Sequence, residues 1–264
     1  MRRCGITAFA FFLFFLPDAS WAGAWTLDRG RIQIISGVTV SHAVRGFDHA
    51  GKPKQKVVFN KLLAQNTFEY GLTNAVTLFA APEYVTAQSN MSGGAGLARV
   101  QNAAIEGGVR ILLLTRIGML SLQSSIKTAG AFDMSVSAYN ASARQVELRL
   151  LYGRTFKLFR RGGFVDFEVA ERWINRPRPN EMTIDATAGL QLTRSTQMLF
   201  QSFNTISGGG GQPPYTFYRT HKLELSIVRR IAGAWSFQLG AFLSPAGQNT
   251  IMEQGVSTSI WYRL

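Results

Sequence analysis

Cysteine is almost absent from this chain of 264 residues: Cys4 is the only one. It precedes an N-terminal apolar run, so once that run is removed no disulfide, thiolate nucleophile or cysteine metal site can form. Histidine is nearly as scarce, with His42, His49 and His221 alone. Acids are few, 15 against 28 lysines and arginines. Beyond the N-terminus there is no apolar run of the roughly 18 residues that marks a membrane helix. The nearest, Ile111 to Leu114, is bounded by Arg110 and Arg116. If such a chain enters a membrane, it does so as a barrel. No metal-ligand spacing or dinucleotide fingerprint occurs, and the glycines 208–211 lack the strand, helix and lysine of a phosphate loop. No cofactor and no metal are expected.

What is present begins with a leader. Met1-Arg2-Arg3, the apolar run Ile6 to Leu16, and small residues at Ser20, Ala22 and Ala24 fit a secretory signal peptide. It is placed at 1–24, with the exported domain at 25–264 and a cut after Ala22 or Ala24. The run is about 11 residues, short of the roughly 20 a spanning helix needs. Cys4-Gly5 stands where twin-arginine signals carry an apolar pair, so general export of an unfolded chain is expected. Losing Arg2, Arg3 and Asp18 takes the formal charge from +13 to +12. For an exported protein that balance points to anionic lipid headgroups, lipopolysaccharide or acidic polysaccharide, and not to nucleic acid.

The rest of the chain alternates with a two-residue period. In Val256 to Leu264, the residues Val256, Thr258, Ile260, Tyr262 and Leu264 share one face and Ser257, Ser259 and Arg263 the other, with Trp261 an exception. Met182 to Thr193 and Gln145 to Phe156 alternate in the same way. Twelve such segments can be marked from Arg31 onward, of about 9 to 13 residues, close to a tilted membrane strand. Pro82 lacks a ladder donor and predicts an interruption in the third. In Gln197 to Ile206 the apolar face is undecided between Met198 with Phe200 and Leu199 with Phe203. Tight turns follow the even-numbered segments. Longer stretches rich in Gly, Pro or charge follow the odd ones: Arg45–Lys56, Ser89–Leu97, Ala129–Ala143, Arg176–Asn180, Ser207–Pro214 and Pro245–Asn249. Loops sorted by length predict an all-β fold, an antiparallel up-and-down transmembrane β-barrel of about 12 strands, with tight turns and both termini on the periplasmic side. A soluble sandwich also alternates but has no reason to sort its loops.

Trp25-Thr26, the run Phe68-Glu69-Tyr70-Gly71-Leu72-Thr73-Asn74, Thr77-Leu78-Phe79-Ala80-Ala81-Pro82 and Gln201-Ser202-Phe203-Asn204-Thr205 resemble segments of small Gram-negative outer-membrane proteins. The E-Y-G-L-T turn is similar to that of the phenol-degradation MetA-pathway family. A weaker similarity is to outer-membrane proteins encoded with exopolysaccharide synthesis genes. These resemblances imply a barrel and a possible channel or export role. The closing strand resembles the signal read by the barrel-assembly machinery, with Leu264 where Phe is usual.

If the apolar parity faces lipid, the other lines a lumen that holds Glu69, Glu83, Glu106, Arg110, Lys127, Glu147, Arg149, Asp166, Glu168, Asp185, Lys222, Glu224 and Arg263. Facing charges lie about 5 Å apart across a ladder, so they can pair. The acids Glu147, Asp166, Glu168 and Asp185 would favour cations unless Arg149 neutralises them. Arg45, Lys52, Lys54, Lys56, Arg176 and Arg178 are expected in extracellular loops, as solvated charge or as binders of lipopolysaccharide phosphate. Tyr70, Tyr84, Tyr152, Trp173, Trp235 and Tyr262 suit interfacial girdles. An outer-membrane lipid hydrolase would need a histidine beside a serine. His221 has Arg219 and Leu223 at two-residue spacing, so no such pair lies along its strand. The expected function is a passive channel or export component for small polar or saccharide solutes. The alternative is a non-conducting barrel that binds polysaccharide or lipopolysaccharide, and a lipid hydrolase is the distant third.

Overall fold

The computed structural model describes residues 23–90, 98–128, 143–158, 160–176, 178–209 and 217–264. The alternating segments form one antiparallel sheet closed on itself. Its strands are β1 (Ile32–Phe47), β2 (Gln55–Thr73), β3 (Val76–Ser89), β4 (Ala98–Leu114), β5 (Met119–Lys127), β6 (Gln145–Leu158), β7 (Arg161–Ile174), β8 (Glu181–Gln191), β9 (Thr196–Ser207), β10 (Arg219–Ala232), β11 (Trp235–Gln248), β12 (Thr250–Ile251) and β13 (Gln254–Arg263). The short β12 and β13 together make the twelfth wall strand. Closure is direct, because β1 pairs with β2 on one side and with β13 on the other, Gln33 facing both Glu69 and Arg263. A closed ladder leaves no edge, the condition for a sheet to sit in hydrocarbon.

Burial is inverted relative to a soluble protein. Leu62, Leu78, Leu148, Phe167, Ile184, Phe200, Leu225, Leu239 and Ile260 are exposed on the outer face, while Gln33, Thr77, Ser121, Glu147, Asp166 and Ser226 are buried inside. Two-residue alternation in every wall strand produces this, and an apolar side chain moved from water to lipid contributes roughly 1.5–3 kcal/mol. Phe200 faces outward and Leu199 inward, which fixes the parity of β9. Trp261 breaks the polar run of its face by pointing inward, where its indole N–H donates to Gln238 at 3.1 Å and Ser259 at 2.8 Å. At Pro82 the β2–β3 ladder is interrupted between Gln65↔Glu83 and Phe68↔Ala80 without change of register, as a missing donor requires.

The strands run further than the alternation suggested, reaching 19 residues in β2 and 17 in β4. The connections after β2, β6 and β10 are tight turns, the last with Gly233 at φ 50°. Two expected loops are corrected. Arg45 lies on β1 and Lys56 on β2, paired across the ladder, so the first loop shrinks to residues 48–54. Pro245 to Asn249 is mostly strand: β11 continues to Gln248, and a one-residue turn at Asn249, φ 50°, leads into β12. The final connection on the long-loop side is therefore short. Trp173 and Tyr84 are exposed on the outer face, and Trp235 packs on Tyr262 with ring centroids 4.6 Å apart. Most of the loop expected over Ser89–Leu97, nearly all of Ala129–Ala143, and residues 210–214 of Ser207–Pro214 lie outside the described residues.

Candidate functional site: the barrel lumen

The interior is filled in layers. At the short-turn end the segment ahead of β1, residues 23–31, enters the barrel. Gly30 N–H donates to Gly71 C=O at 2.7 Å, Arg29 N–H to Asn74 Oδ1 at 2.9 Å and Leu27 N–H to Thr77 Oγ1 at 2.8 Å. Deeper in, Ser121 Oγ donates to the Ala24 carbonyl at 2.5 Å and Arg110 Nη1 to the Trp25 carbonyl at 3.1 Å. The segment thus crosses from the β2–β3 wall to the β5–β7 wall. Trp25 packs on an apolar cluster of Phe164, Leu199 and Val228, meeting Phe164 edge-on at 5.6 Å and 87°. Gly153 makes room for it: a Cβ there would lie 2.5 Å from the Trp25 ring. An inward Phe, Leu and Val on β7, β9 and β10 would be faults in a purely polar lumen, and here they form the seat of the indole.

Beside this segment Arg110 donates to Glu69 at 3.1 Å and Gln123 at 3.0 Å, Gln33 donates to Glu69 at 2.9 Å, and Arg263 donates to Gln33. The pair Gln33–Arg263 straddles the closing seam of the barrel. On β6–β8 the acidic cluster is organised by cations. Arg149 reaches Glu147 at 2.8 Å, Glu168 at 2.5 Å and Asp185 at 3.0 Å. Arg172 joins Glu147 at 2.7 Å to Glu181 at 2.8 Å. The sequence condition attached to Arg149 is met, and this cluster is an ion-pair network in which three of the four acids have a cation. Asp166 differs: its Oδ1 accepts the Ala24 N–H at 2.9 Å. Removing one partner from a buried pair leaves an uncompensated charge, which costs about 3–5 kcal/mol.

On β3–β5, Lys127 pairs with Glu83 at 2.8 Å, and Glu106 accepts Ser125 Oγ at 2.7 Å. Higher up, Glu253 sits in the bulge between β12 and β13 and joins Lys61 at 2.6 Å to Lys222 at 3.1 Å, with Ser41 Oγ donating at 2.5 Å. The Lys222 ammonium also lies 4.6 Å from the Phe242 ring centroid. Above this layer the inward face turns apolar, with Ala43, Val57, Phe59, Ala87, Val100 and Ile251 in one buried cluster. There the long strands enclose a small core of soluble type. The polar lumen expected from the alternation does not extend to this rim.

Between these layers, against β1, β2, β10, β11 and β13, lies a cavity of about 160 Å³. Its inward lining includes Thr39, Gln65, Thr67, Gln238, Ser257 and Ser259, with Glu224 accepting Ser257 Oγ at 2.7 Å. Glu224 is the one formally charged residue of this lining, in contrast to the ion-pair network on β6–β8.

Among the loop cations, Lys52, Lys54 and Arg176 are exposed as expected, and so are Arg45 and Lys56 on their strand ends. Arg178 is a correction. It is buried and pairs with Glu181 at 3.0 Å, because the fully buried Pro179 folds this loop back into the barrel mouth. Lys61, Arg172, Glu181 and Glu253 were missed. Arg172 continues the two-residue series from Asp166 and Glu168, and Glu181 precedes Thr183 and Asp185 on one parity, so both were legible. Lys61 shares its parity with Val57 and Phe59, which hid it, and the bulge removes Glu253 from any parity. His221 bonds Asn204 at 2.8 Å and His42 bonds Gln254 at 2.8 Å, neither a serine.

An edgeless twelve-strand wall, an apolar outer belt and a charged interior define a small outer-membrane β-barrel of Gram-negative type. No family model matches the chain, and no curated relative does. The fold is shared with the COG4313 outer membrane channel from Pseudomonas putida F1, at TM-score 0.70 and 13% identity over 94% of this chain and 100% of that one. It is also shared with the translocator domain of autotransporter NalP from Neisseria meningitidis, at 0.58 and 9% over 94% and 91%. The beta domain of the Bordetella autotransporter BrkA gives 0.53 and 10% over 90% and 100%. These outer-membrane neighbours indicate the outer membrane as the location.

Proposed function

We propose that this barrel is a passive channel of the Gram-negative outer membrane for small, uncharged polar solutes, exported with a cleaved leader and without catalytic activity. The cavity of about 160 Å³ lined by hydroxyls and amides carries the reading. At about 30 Å³ per water it holds roughly five waters, the scale of a small polyol or a single sugar ring. Toward the loop end a wider cavity of about 480 Å³ is lined by Ser41, Lys61, Ala87 and Arg99, so the narrower one sets the size limit. A polysaccharide chain in transit needs more space than that, and the export role is set aside. The channel character of the Pseudomonas putida neighbour supports the same reading.

Tight turns face the periplasm in this orientation and the segment 23–31 occupies the periplasmic end. The exposed cations Arg45, Lys52, Lys54, Lys56 and Arg176 then border the outer leaflet, where lipopolysaccharide phosphates are their natural counter-ions. The last strand serves the assembly machinery. A second reading, a non-conducting barrel, draws on the ion pairs Glu69–Arg110, from β2 to β4, and Lys61–Glu253–Lys222, from β2 to β10, which bridge non-adjacent strands near the two ends of the lumen.

Osmotic swelling of liposomes that carry the refolded protein separates the two. Swelling in glycerol and in a pentose, with none in a tetrasaccharide, is the expected result. Swelling in the tetrasaccharide would contradict the size limit, and no swelling in any solute would establish the non-conducting barrel.

A further inference from the structure

Asp166 stands apart from the other deeply buried carboxylates of the lumen. Glu69 is met by Arg110, Glu147 by Arg149 and Arg172, Glu181 by Arg172 and Arg178, and Glu253 by Lys61 and Lys222. Asp166 is 2% exposed; Glu168, another acid, hydrogen-bonds it side chain to side chain, Arg110 acts on it only through space, and among the described residues no lysine, arginine or histidine side chain lies within ion-pair distance. A buried carboxylate without a cation is costly, so the site is built for a positive charge that side chains do not supply.

The backbone against it is that of Gly23 and Ala24. Ala24 is wholly buried and its N–H donates to Asp166 Oδ1 at 2.9 Å. Gly23 has φ +92°, and a Cβ on it would lie 2.1 Å from Asp166 Oδ2, so only glycine fits. Nitrogen and a Cβ are both substituents of the same Cα. The Gly23 nitrogen therefore lies within roughly 4.6 Å of that oxygen by bond geometry. Partial rotation about the Gly23 Cα–C bond carries it toward the oxygen. Ser20 and Ala22 are small residues at the third-last and last positions before Gly23, the pattern a signal peptidase accepts. A cut after Ala24 would instead delete the two residues that fit against the carboxylate.

We infer that the leader is cut between Ala22 and Gly23 and that the α-ammonium so created pairs with Asp166, locking the segment 23–30 across the lumen. Hydrolysis of that peptide bond consumes one water, leaving a carboxylate on Ala22 and an amine on Gly23 that is protonated at neutral pH. The lock therefore forms only in the processed chain. Chain maturation and narrowing of the lumen become one event. The precursor has an amide at this position and no charge to offer.

The inference rests on leader cleavage, part of the function proposed above, and needs no conduction. Intact-mass analysis of protein purified from outer membranes is expected to show a chain starting at Gly23. A start at Trp25 would overturn the inference alone, whereas an uncleaved chain would overturn the export reading as well. Hydrogen exchange on refolded protein tests the ion pair. Starting the chain one residue earlier, at Ala22, displaces the ammonium, and Asp166→Asn removes the charge while keeping an acceptor for Ala24. Each is expected to speed exchange of the amides of residues 24–30 at least about tenfold, and the two together no further than either alone. Unchanged exchange, or effects that add, would overturn the pairing. The extended chain alone gives the answer if Asp166→Asn does not fold.

Discussion

Replacing Arg149 with Met is expected to lower the free energy of unfolding by about 3–5 kcal/mol, read from urea titration of protein refolded into lipid vesicles. The guanidinium contacts Glu147, Glu168 and Asp185 with its side chain only 12% exposed. Arg172 still reaches Glu147 when Arg149 is gone, but among the described residues Glu168 and Asp185 have no other ion pair. Two carboxylates on facing residues of β7 and β8 would then repel across the ladder, since Glu168 and Asp185 are direct register partners. Met keeps most of the volume, so the loss reports charge and not a cavity. Arg149→Lys is expected to recover less than half of it, because one ammonium cannot reproduce the fork that serves three acids. A loss below about 1 kcal/mol in Arg149→Met would mean that water, and not Arg149, solvates the cluster.

The second large effect is a pH dependence that originates at Glu253, in the bulge between β12 and β13 at the loop end. Burial pushes its carboxyl up, and Lys61 and Lys222, with a hydrogen bond from Ser41, more than reverse that and hold it at about 2. The ordinary value is 4.5. A carboxyl whose pKa is depressed in the folded state contributes its full stability above the unfolded value. That contribution is lost as pH falls through the folded one. Glu253 should therefore contribute roughly 3 kcal/mol at neutral pH, declining from about pH 5 toward pH 2. In Glu253→Gln that part of the acid dependence disappears, and stability at neutral pH falls because Lys61 and Lys222 are left facing each other. Urea midpoints measured across this range give both quantities. An unchanged acid slope in Glu253→Gln would contradict the assignment.

The wall of the barrel was readable in the sequence because each strand meets two solvents, lipid outside and a polar lumen inside, and two-residue alternation records that contrast directly. Val38, Leu78, Leu150, Ile184 and Ile260 all fall on the outer face their parity assigned. The reading weakens where the contrast disappears. Beyond the hydrocarbon layer β1 to β4 enclose Val57, Phe59 and Val100, so apolar residues face inward and parity no longer separates lipid from lumen. Segments without a period were the other gap. Residues 23–31 have neither alternation nor apolar stripe, and their place inside the barrel is set by hydrogen bonds from their backbone N–H groups to the Gly71 carbonyl and to the side chains of Asn74 and Thr77. Their partners do leave traces: Gly153, Phe164, Leu199 and Val228 are exceptions on inward faces, and together they form the seat of Trp25.

Single-channel recording of the chain that starts at Gly23 beside one that starts at Arg31 tests most directly whether this barrel is a channel narrowed by its own N-terminal segment. Small-conductance openings in the longer chain, and a severalfold larger conductance in the shorter one, are the expected result. Equal conductances would contradict the placement of residues 23–30 in the path, and two silent barrels would contradict the channel itself.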